Sequence, residues 1–568
     1  MMMNCHFDSV PGSPGASDDI VMCCVMIEIF RIFANQEEKP KNSMILLFNG
    51  AEEVGLLAAH GFVTQHRWAK DITDFEIFRD DGEVPGIDFA YVEAGWRYHT
   101  RYDSIEYITM ESVQYTALSA VACYLMAMIM NAVDNTMSYF NVTFLSIGVY
   151  GSLALLVQLA TYQLVDFLIQ FIRKKFSSEK KISEDQRRRL MIHLNGINLF
   201  WAVITLAITT LGYRFAYITM VMLFVSFCTQ IITYGACKVL PKTRFHSWIF
   251  IHLLGHSFLF LWLCYMMIQV WELFIPITGK AYYPNPDITI ALICTLWTVL
   301  CLSYFLPLTT LVQYRGILYS MIITTFLVSL IISLTSIGFP YSDNRSDPKL
   351  QRFRVIHSKR TVIDYNSGEE TYSDIGYLLS TIDRNSLRTL EMSFDPNDLS
   401  DYEDAELCGD LSYCGFPLYR FGDGKYLKGK EPPKLQPTKF ELLKFSRNSS
   451  HLDVEFSLQL TTLTMIYVTP GNGWSFVSGN IPTAERTWND KSFQYTTLLY
   501  GKRTNESWIR SFTLESSSAA DESNPVTIAV STIESVFEKS EEFVEVMSKL
   551  PAWTFAMEHQ ADVTIYKL

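Results

Sequence analysis

Long apolar runs dominate the middle of the chain and predict a membrane region between residues 143 and 340. A helix needs about 20 predominantly apolar residues to cross a bilayer. Six segments reach that length, at 145–172, 192–211, 215–237, 247–274, 287–311 and 316–338. The longer segments leave room for an extra re-entrant turn, so the pattern predicts six to eight spans.

The hydrophobic pattern changes on both sides of this region. MILLFN at 44–49 is a short, unbroken apolar run, which is typical of a buried strand in a parallel sheet. After residue 340 the chain becomes charged, aromatic and β-branched, with strand-like runs at 454–470, 494–501 and 526–533. The expected fold class is a partial α/β domain over 1–132, a polytopic α-helical membrane region over 143–340 and an antiparallel β-rich domain over 341–568.

Basic residues in the short loops predict the orientation of the spans, because cytosolic loops are enriched in Lys and Arg. Loops on the other side of the membrane carry only two, Arg214 and Lys280. The basic loops are therefore expected to face the cytosol. An even number of spans then places both flanking domains on the lumenal side. The twelve basic residues of the cytosolic loops are Arg173, Lys174, Lys175, Lys180, Lys181, Arg187, Arg188, Arg189, Lys238, Lys242, Arg244 and Arg315.

Possible modifications and partners agree with this orientation. N-glycosylation triplets begin at Asn344, Asn448 and Asn505. Cys408 and Cys414 lie in a polar region, where they form either a local disulfide, which suits an oxidising lumen, or two free thiols. A net charge of −13 without a basic face excludes nucleic acid as a partner. The expected partners are membrane lipid and a lumenal peptide or protein; the sequence indicates no oligomeric state.

Three short polar runs in the first hundred residues carry the candidate chemistry. In HFDSVPGSPGASDD (6–19), His6 and Asp8 are separated by one residue, so both side chains lie on one face of an extended segment. His6 can bind a metal while Asp8 orients a ligand from behind, and Asp18 is a hard oxygen ligand that can bridge two cations. Taken alone, Ser17 and Asp18 also fit a helix cap.

The second and third runs supply further metal-binding groups. Glu52 and Glu53 follow the MILLFN strand, and open α/β sheets bind ligands at the carboxyl ends of their strands. One glutamate can ligate a metal while the other acts as general base. His99, in YHTRYDS (98–104), can close the site. Taken singly, the glutamates also fit surface charges at a helix start, and His99 fits a solvated loop; together the runs predict a hydrolytic two-zinc site.

These runs resemble the co-catalytic zinc aminopeptidases with an α/β fold, and more closely their membrane-bound branch, the endoplasmic reticulum metallopeptidases. The matching motifs are HFDSVPGSPGASDD, FNGAEEVGLLAAHGF, VPGIDFAYVEAG and YHTRYD. The resemblance implies a multi-pass endoplasmic reticulum membrane peptidase that removes N-terminal residues in the lumen. It implies two zinc ions bridged by Asp18, with Glu52 as the general base. Asp8 is then the residue that orients a zinc ligand without binding zinc itself. The zinc ligands that it implies are His6, Asp18, Glu53 and His99.

The chain departs from the family pattern in two places. The family has a further strand, ending in another zinc carboxylate, between the paired glutamates and the final histidine. Here AAHGFVTQHRWAKDI (58–72) runs straight into TDFEIFRDDG (73–82), so that strand is expected to be missing between Ile72 and Thr73. The chain also begins five residues before His6, and we expect a truncated or alternatively spliced form without the early strands. Fewer than two zinc ions are then expected, unless Asp71 or Asp74 takes the ligand role.

Two other functions stay open. The missing strand favours a catalytically inactive membrane scaffold that keeps the peptidase outline. A transporter is the third alternative, because Asp166 is an acid inside a predicted span. For Glu272 we expect a side chain that extends to the membrane interface. For His252 and His256 we expect hydrogen bonding between helices.

Overall fold

A computed structural model gives the structure of the chain. The chain divides into two units, Met1–Thr109 with Ser342–Leu568, and Met110–Tyr341. The structure describes residues 2–35, 45–50, 52–53, 121–176, 186–210, 216–239, 245–282, 285–312, 314–401, 415–418, 424–448, 450–460, 463–481, 484–488, 491–499, 507–517 and 525–568.

The N-terminal segment contains a small parallel sheet. Strand β1 (Met2–His6) pairs in parallel with β2 (Ile45–Asn49), and His6 lies opposite Asn49 at the carboxyl ends of both strands. A π-helical turn (Ala16–Ile20) leads into helix α1 (Val21–Ala34). The parallel strand predicted at 44–49 and the partial α/β fold are confirmed.

The apolar strand β2 is less covered than its sequence suggests. Ile45 and Phe48 remain 49% and 38% exposed. Among the described residues the sheet has two strands, so β2 pairs on one edge and its outer apolar side chains have few neighbours to pack against. The prediction that this strand is buried is therefore wrong for the part of the sheet that the structure describes.

The second unit is helical. Helices occupy all six predicted span positions, and α2 was not predicted. Within the described residues, four segments are long and apolar enough to cross a membrane: Phe144–Leu164, Ala216–Gly235, Ile249–Thr278 and Arg315–Ser333. Leu194–Thr210 and Pro286–Leu302 are shorter apolar helices. The helices are α2 (Val121–Ala132), α3 (Ser152–Phe176), α4 (Gln186–Thr210), α5 (Ala216–Val239), α6 (Phe245–Thr278), α7 (Pro286–Leu302) and α8 (Arg315–Ser333).

Hydrogen bonds between segments of this unit involve several of its buried polar groups. Asp287, at the start of α7, is fully buried and accepts hydrogen bonds from the Tyr150 hydroxyl at 2.6 Å and the Met137 amide at 2.9 Å. Nε2 of His252 lies 3.2 Å from the carbonyl oxygen of Tyr304, which joins α6 to the segment after α7. This contact agrees with hydrogen bonding between helices. The side chain of Asp166 lies outside the described residues.

The beginning and the end of the helical unit lie together. The Asn135 side chain donates to the Ser333 carbonyl at 2.8 Å, and that of Asn141 donates to the Phe339 carbonyl at 3.1 Å. Gly148, just before α3, approaches Ser329 of α8 so closely that a Cβ at this glycine would overlap the serine side chain. Small residues allow such close contact between membrane helices. The chain therefore enters and leaves this unit at the same end.

The C-terminal part of the first unit is β-rich, as predicted. In the described parts of this region, a nine-stranded sheet has the order β11-β12-β9-β14-β15-β3-β4-β6-β5, and a four-stranded sheet has the order β10-β13-β8-β7. Neighbouring strands are antiparallel except β15 and β3, which pair in parallel. The strands are β3 (Gln351–Asp364), β4 (Glu370–Thr381), β5 (Leu399–Asp401), β6 (Gly424–Lys428), β7 (Lys439–Arg447), β8 (His451–Gln459), β9 (Leu463–Pro470), β10 (Trp474–Gly479), β11 (Ala484–Trp488), β12 (Lys491–Leu499), β13 (Ser507–Ser516), β14 (Val526–Glu534) and β15 (Thr554–Lys567).

The strand-like run at 454–470 divides between two strands that belong to different sheets. β8 belongs to the four-stranded sheet and β9 to the nine-stranded sheet. Alternate residues of β8 and β9, such as Phe456 and Ile466, meet in a core between the sheets. A long run of strand-forming residues does not itself mark where the chain crosses from one layer to the next.

The two faces of the nine-stranded sheet are covered differently. On one face, the four-stranded sheet covers β9 and β14, and two helices, α9 (Ser386–Ser393) and α10 (Glu541–Lys549), cover β3 and β4 around Phe353 and Phe543. The opposite face carries a second core around Ile356 and Val563. We call this opposite face, which includes the even-numbered residues of β3 and the odd-numbered residues of β15, the inner face.

Candidate metal centre

His6 lies at the centre of the candidate site. It ends β1 and is 7% exposed. Its Nδ1 lies 3.1 Å from the carbonyl oxygen of Asp8, a distance at which Nδ1–H donates a hydrogen bond. The other ring nitrogen, Nε2, faces Asp18 Oδ1 at 3.3 Å and Glu52 Oε2 at 3.9 Å. A hydrogen bond from one ring nitrogen to a carbonyl oxygen is typical of metal-binding histidines, because it fixes the orientation of the ring.

A tight loop brings Asp18 back to His6. Gly15 has φ +68°, and a Cβ there would lie 2.6 Å from Ser9 Cβ and 2.9 Å from the Asp18 carbonyl oxygen. Only glycine fits such a position without moving its neighbours. The next carboxylate, Asp19, accepts a hydrogen bond from the His6 amide at 3.3 Å. The loop therefore fixes both aspartates against the end of β1.

Asp8 binds the segment that carries Glu52 and Glu53. Its Oδ1 accepts from the Glu52 amide and its Oδ2 accepts from the Glu53 amide, both at 3.2 Å. Burial alone would raise the pKa of Asp8, but its contact with His6 and these two amides lower it below the usual value. Asp8 thus stays ionised and ties the end of β2 to the end of β1.

The site has an excess of negative charge. Burial alone would lower the pKa of His6, but hydrogen bonds to Asp18 and Asp8 and the charge of Glu52 raise it to about 11. The same carboxylates that favour a proton on His6 also favour a divalent cation beside it. This electrostatic environment is what a metal site requires.

The described donors fit part of a zinc site. Tetrahedral zinc has Zn–N and Zn–O bonds of about 2.0–2.1 Å, so two of its ligand atoms lie about 3.3 Å apart. His6 Nε2 and Asp18 Oδ1 are 3.3 Å apart, which matches that separation. Among the described residues, no group of three or more His, Cys, Asp or Glu side chains converges on one metal position. The pair His6 and Asp18 therefore fits two ligands of a tetrahedral ion.

The structure brings four of the six predicted site residues together: His6, Asp8, Asp18 and Glu52. Glu53 is placed beside them through its amide contact with Asp8. His99 lies outside the described residues, as do Asp71 and Asp74 and the predicted gap between residues 72 and 73. Cys408, Cys414 and the predicted glycosylation site Asn505 also lie outside them.

Two features of the site were missed in the sequence. One is Asp19, which holds the His6 amide; its position next to Asp18 was the available signal. The other is a disulfide between Cys5 on β1 and Cys23 on α1, with Cα atoms 5.5 Å apart. The spacing of 18 residues carries no known motif. Only the proximity of the strand and the helix, which is a tertiary feature, reveals the pair.

Comparison with protein families covers almost the whole chain. Residues 1–73 and 68–123 match Peptidase family M28. Residues 105–334 match the TM domain, and residues 348–566 the C-terminal domain, of endoplasmic reticulum metallopeptidase 1. The chain belongs to the endoplasmic reticulum metallopeptidase family. The family resemblance read from the three polar runs is confirmed.

Individual relatives agree with this family. Endoplasmic reticulum metallopeptidase 1 of Homo sapiens is 27% identical over 555 residues, which cover 74% of this chain and 61% of the human protein. The protein of the same name in Mus musculus is 25% identical over 553 residues, with the same coverage. A vacuolar membrane protease of Fusarium vanettenii is 29% identical over 174 residues, which cover 22% of this chain and 17% of that protein. The chain thus spans about three fifths of the length of its mammalian relatives.

The match to the M28 peptidases falls in two pieces. The pieces end and begin within residues 68–73. This is where the sequence predicts that a strand with a zinc carboxylate is missing. The segments that carry His6 to Glu53 lie before residues 68–73, and the segment that carries His99 lies after them.

Proposed function

We propose that the chain is a zinc-dependent peptidase of the endoplasmic reticulum membrane, acting on the amino-terminal end of lumenal peptides. The observation that supports this most directly is the position of His6 Nε2, which lies 3.3 Å from Asp18 Oδ1 and 3.9 Å from Glu52 Oε2 at the carboxyl end of a parallel strand. His6 and Asp18 would hold the zinc, with Glu53 and His99 as the further ligands that the family resemblance assigns. Bound zinc lowers the pKa of water and polarises a carbonyl group.

The protein groups around this position have separate tasks. Glu52 is the general base that accepts a proton from the attacking water. Asp8 accepts hydrogen bonds from the amides of Glu52 and Glu53. These bonds fix the backbone from which the Glu52 side chain extends. Asp19 holds the amide of His6, which fixes the end of β1. These hydrogen bonds fix the positions of His6 and Glu52 before substrate binds, so less free energy is lost in ordering these side chains during the reaction.

Three observations support a lumenal position for the site. The disulfide between Cys5 and Cys23 suits an oxidising compartment. Residues 1–109 and 342–568 form one unit, which supports a position of both flanking parts on one side of the membrane. The helical unit also begins and ends at one end, through contacts such as Asn141 with Phe339. Together with the positive-inside rule, these features favour the lumen.

A non-catalytic scaffold is the second candidate. The break in the M28 match at residues 68–73 favours it, because the strand expected there supplies a zinc carboxylate in the family. Loss of a residue that only supports a metal ligand typically costs 10–100-fold in affinity or activity. Loss of a ligand should cost at least as much. We therefore expect at most one zinc per chain and slow hydrolysis.

Metal content and turnover of the intact chain test the proposal. The chain, purified in nanodiscs, is assayed for zinc by elemental analysis and for hydrolysis of leucyl-aminomethylcoumarin. Glu52→Gln should keep the zinc and lower hydrolysis at least 100-fold, because general base catalysis contributes roughly that much. His6→Ala should lose both zinc and hydrolysis. Glu28→Gln, an exposed acid paired with Arg31 on α1, should change neither.

Four results would change the interpretation. Hydrolysis that survives Glu52→Gln would overturn the mechanism, and a chain without zinc or turnover would favour the scaffold. Cleavage of an N-acetylated peptide at the same rate would replace the aminopeptidase proposal by an endopeptidase. Two tightly bound zinc ions would show that another carboxylate, such as Asp71 or Asp74, completes the site.

A further inference from the structure

The inner face of the C-terminal sheet lies against the loop of the candidate metal centre. Val10, from the loop between His6 and Asp18, is buried in one cluster with Leu350, Phe555 and Met557. Phe555 and Met557 are odd-numbered residues of β15 and therefore point from the inner face. The C-terminal domain thus covers the metal-site loop with apolar side chains at the beginning of β15.

Gly12 shows how close this contact is. A Cβ at Gly12 would lie 3.2 Å from Cζ of Phe555, which is tighter than ordinary van der Waals contact. Gly12 also has φ +82°, a backbone conformation that glycine adopts readily. The loop that carries Asp8 and leads to Asp18 is therefore seated directly on the Phe555 ring.

The same face carries arginines. Arg352, Arg354 and Arg360 are even-numbered residues of β3, so their side chains leave the strand on the inner face. Arg354 pairs across the parallel ladder with Met557, one of the residues that pack on Val10. The position of Arg354 in the ladder therefore directs it toward the N-terminal segment.

The register explains where these arginines find opposite charge. Arg360 lies opposite Asp374 on β4 and forms an ion pair with it, with Nε donating to Oδ1 at 2.8 Å. Arg354 lies opposite Ser380, a neutral residue. Met557, its neighbour across the ladder, packs on Val10, and Asp8 of the same loop accepts a hydrogen bond from the amide of Glu53. Arg354 therefore brings positive charge to the side of the loop that holds Glu53, and Glu53 is an acid whose charge acts on Arg354.

We infer that the C-terminal sheet forms one wall of the candidate metal centre, and that Arg354 is a positioning residue that orients the carboxylate of Glu53. This inference rests on the proposed function, since it assigns the C-terminal domain a role in the same site. Attraction between the guanidinium of Arg354 and the carboxylate of Glu53 would turn one side of that carboxylate toward Arg354 and leave the other side for a metal. A group that contacts a metal ligand without binding the metal sets the orientation and basicity of that ligand.

Zinc affinity tests the role of Arg354. In the intact chain in nanodiscs, zinc is titrated against a fluorescent chelator. Arg354→Met should raise the dissociation constant for zinc 10–100-fold, the usual effect of removing a group that supports a ligand. Arg354→Lys keeps the charge and should recover part of the loss. Arg360→Met is the matched control, because it removes an arginine from the same face and strand but leaves Glu53 alone.

The control separates positioning from folding. Arg360→Met should lower the thermal stability of the chain and change the zinc dissociation constant less than twofold. Equal zinc affinities of Arg354→Met and wild type would overturn the positioning role. So would an equal loss in the Arg354 and Arg360 variants, because the effect would then be structural.

Hydrogen exchange tests the wall without depending on zinc. Phe555→Ala should speed exchange at residues 7–15 at least tenfold, with or without chelator. Phe394→Ala is the matched control, because Phe394 is also 7% exposed but packs on the opposite, helix-covered face. Arg354→Met should speed exchange at residues 45–53, which Arg360→Met should not. Unchanged exchange in Phe555→Ala would overturn the wall even if the chain binds zinc, and a chain without zinc would refute only the proposed function.

Discussion

Asp8 uses both carboxylate oxygens to bind main-chain amides, those of Glu52 and Glu53. The sequence placed Asp8 behind a metal ligand because it lies two residues after His6. The structure adds that the Asp8 carbonyl oxygen lies nearest His6 Nδ1, at 3.1 Å, while the Asp8 carboxylate lies 3.5 Å from the same nitrogen and also accepts hydrogen bonds from the two glutamate amides. Spacing along the chain predicts which residues share a face. It does not predict which of several nearby donors an oxygen will accept.

His559 gives a prediction about pH at the scale of one residue. It is 5% exposed on β15, and burial together with the charge of Arg354 lowers its pKa to about 3. The unfolded chain binds this proton near pH 6.5, so between pH 6.5 and 3 the unfolded state holds more protons than the folded state. Stability is therefore full above pH 6.5 and is lost as pH falls through this range. From pH 6.5 to 5 the loss from His559 should be about 2 kcal/mol.

Urea denaturation at pH 7 and pH 5, followed by tryptophan fluorescence, measures this dependence. His559→Gln should lose less stability than wild type between the two pH values, because glutamine does not titrate. His451→Gln, at an exposed histidine of β8, should behave like wild type. If His559→Gln shows the full wild-type pH dependence, other groups account for it.

At the scale of elements, the disulfide between Cys5 and Cys23 connects β1 to α1 across the metal-site loop. A bond that closes a loop of 18 residues should stabilise this segment by about 3 kcal/mol. The double variant Cys5→Ser, Cys23→Ser should therefore exchange its amides over residues 2–35 roughly 100-fold faster. Hydrogen exchange with mass spectrometry measures this directly.

The neighbouring cysteine is the control for that experiment. Cys24 is exposed, and Cys24→Ser should leave both the disulfide and the exchange rates unchanged. A non-reducing digest of Cys24→Ser should still contain the peptide that joins residues 5 and 23. Its absence would mean that Cys5 pairs with Cys24 instead.

Local patterns predicted some elements well and others poorly, for identifiable reasons. MILLFN gave the strand β2 and its parallel pairing because an unbroken apolar run beside a polar loop has few other structures. The run 454–470 hid a change of sheet, since both strands have the same composition. The cover over the metal-site loop could not be predicted, because it joins Val10 to Phe555 and Met557 at the other end of the chain.

At the scale of the molecule, glycosylation tests the orientation of the first unit. Asn344 and Asn448 are exposed, and the Asn344 side chain accepts the Ser346 amide at 3.1 Å within its triplet. If residues 342–568 are lumenal, expression in mammalian cells should attach glycans at both sites. Endoglycosidase H should then increase gel mobility, and Asn344→Gln with Asn448→Gln should reduce that shift. Unshifted protein whose C-terminal domain is digested from the cytosolic side of sealed microsomes would reverse the orientation.

The discontinuous first unit also sets an order of events during synthesis. Val10 leaves the ribosome 545 residues before Phe555, the side chain on which its loop rests. At translation rates of 5–20 residues per second, that interval lasts roughly half a minute to two minutes. During it, the whole helical unit must insert while the N-terminal segment waits without its cover. Synthesis of β15, which carries Phe555 and Met557, therefore determines when the metal-site loop can be covered. A message that stops before β15 would yield an inserted protein whose metal-site loop lacks this wall.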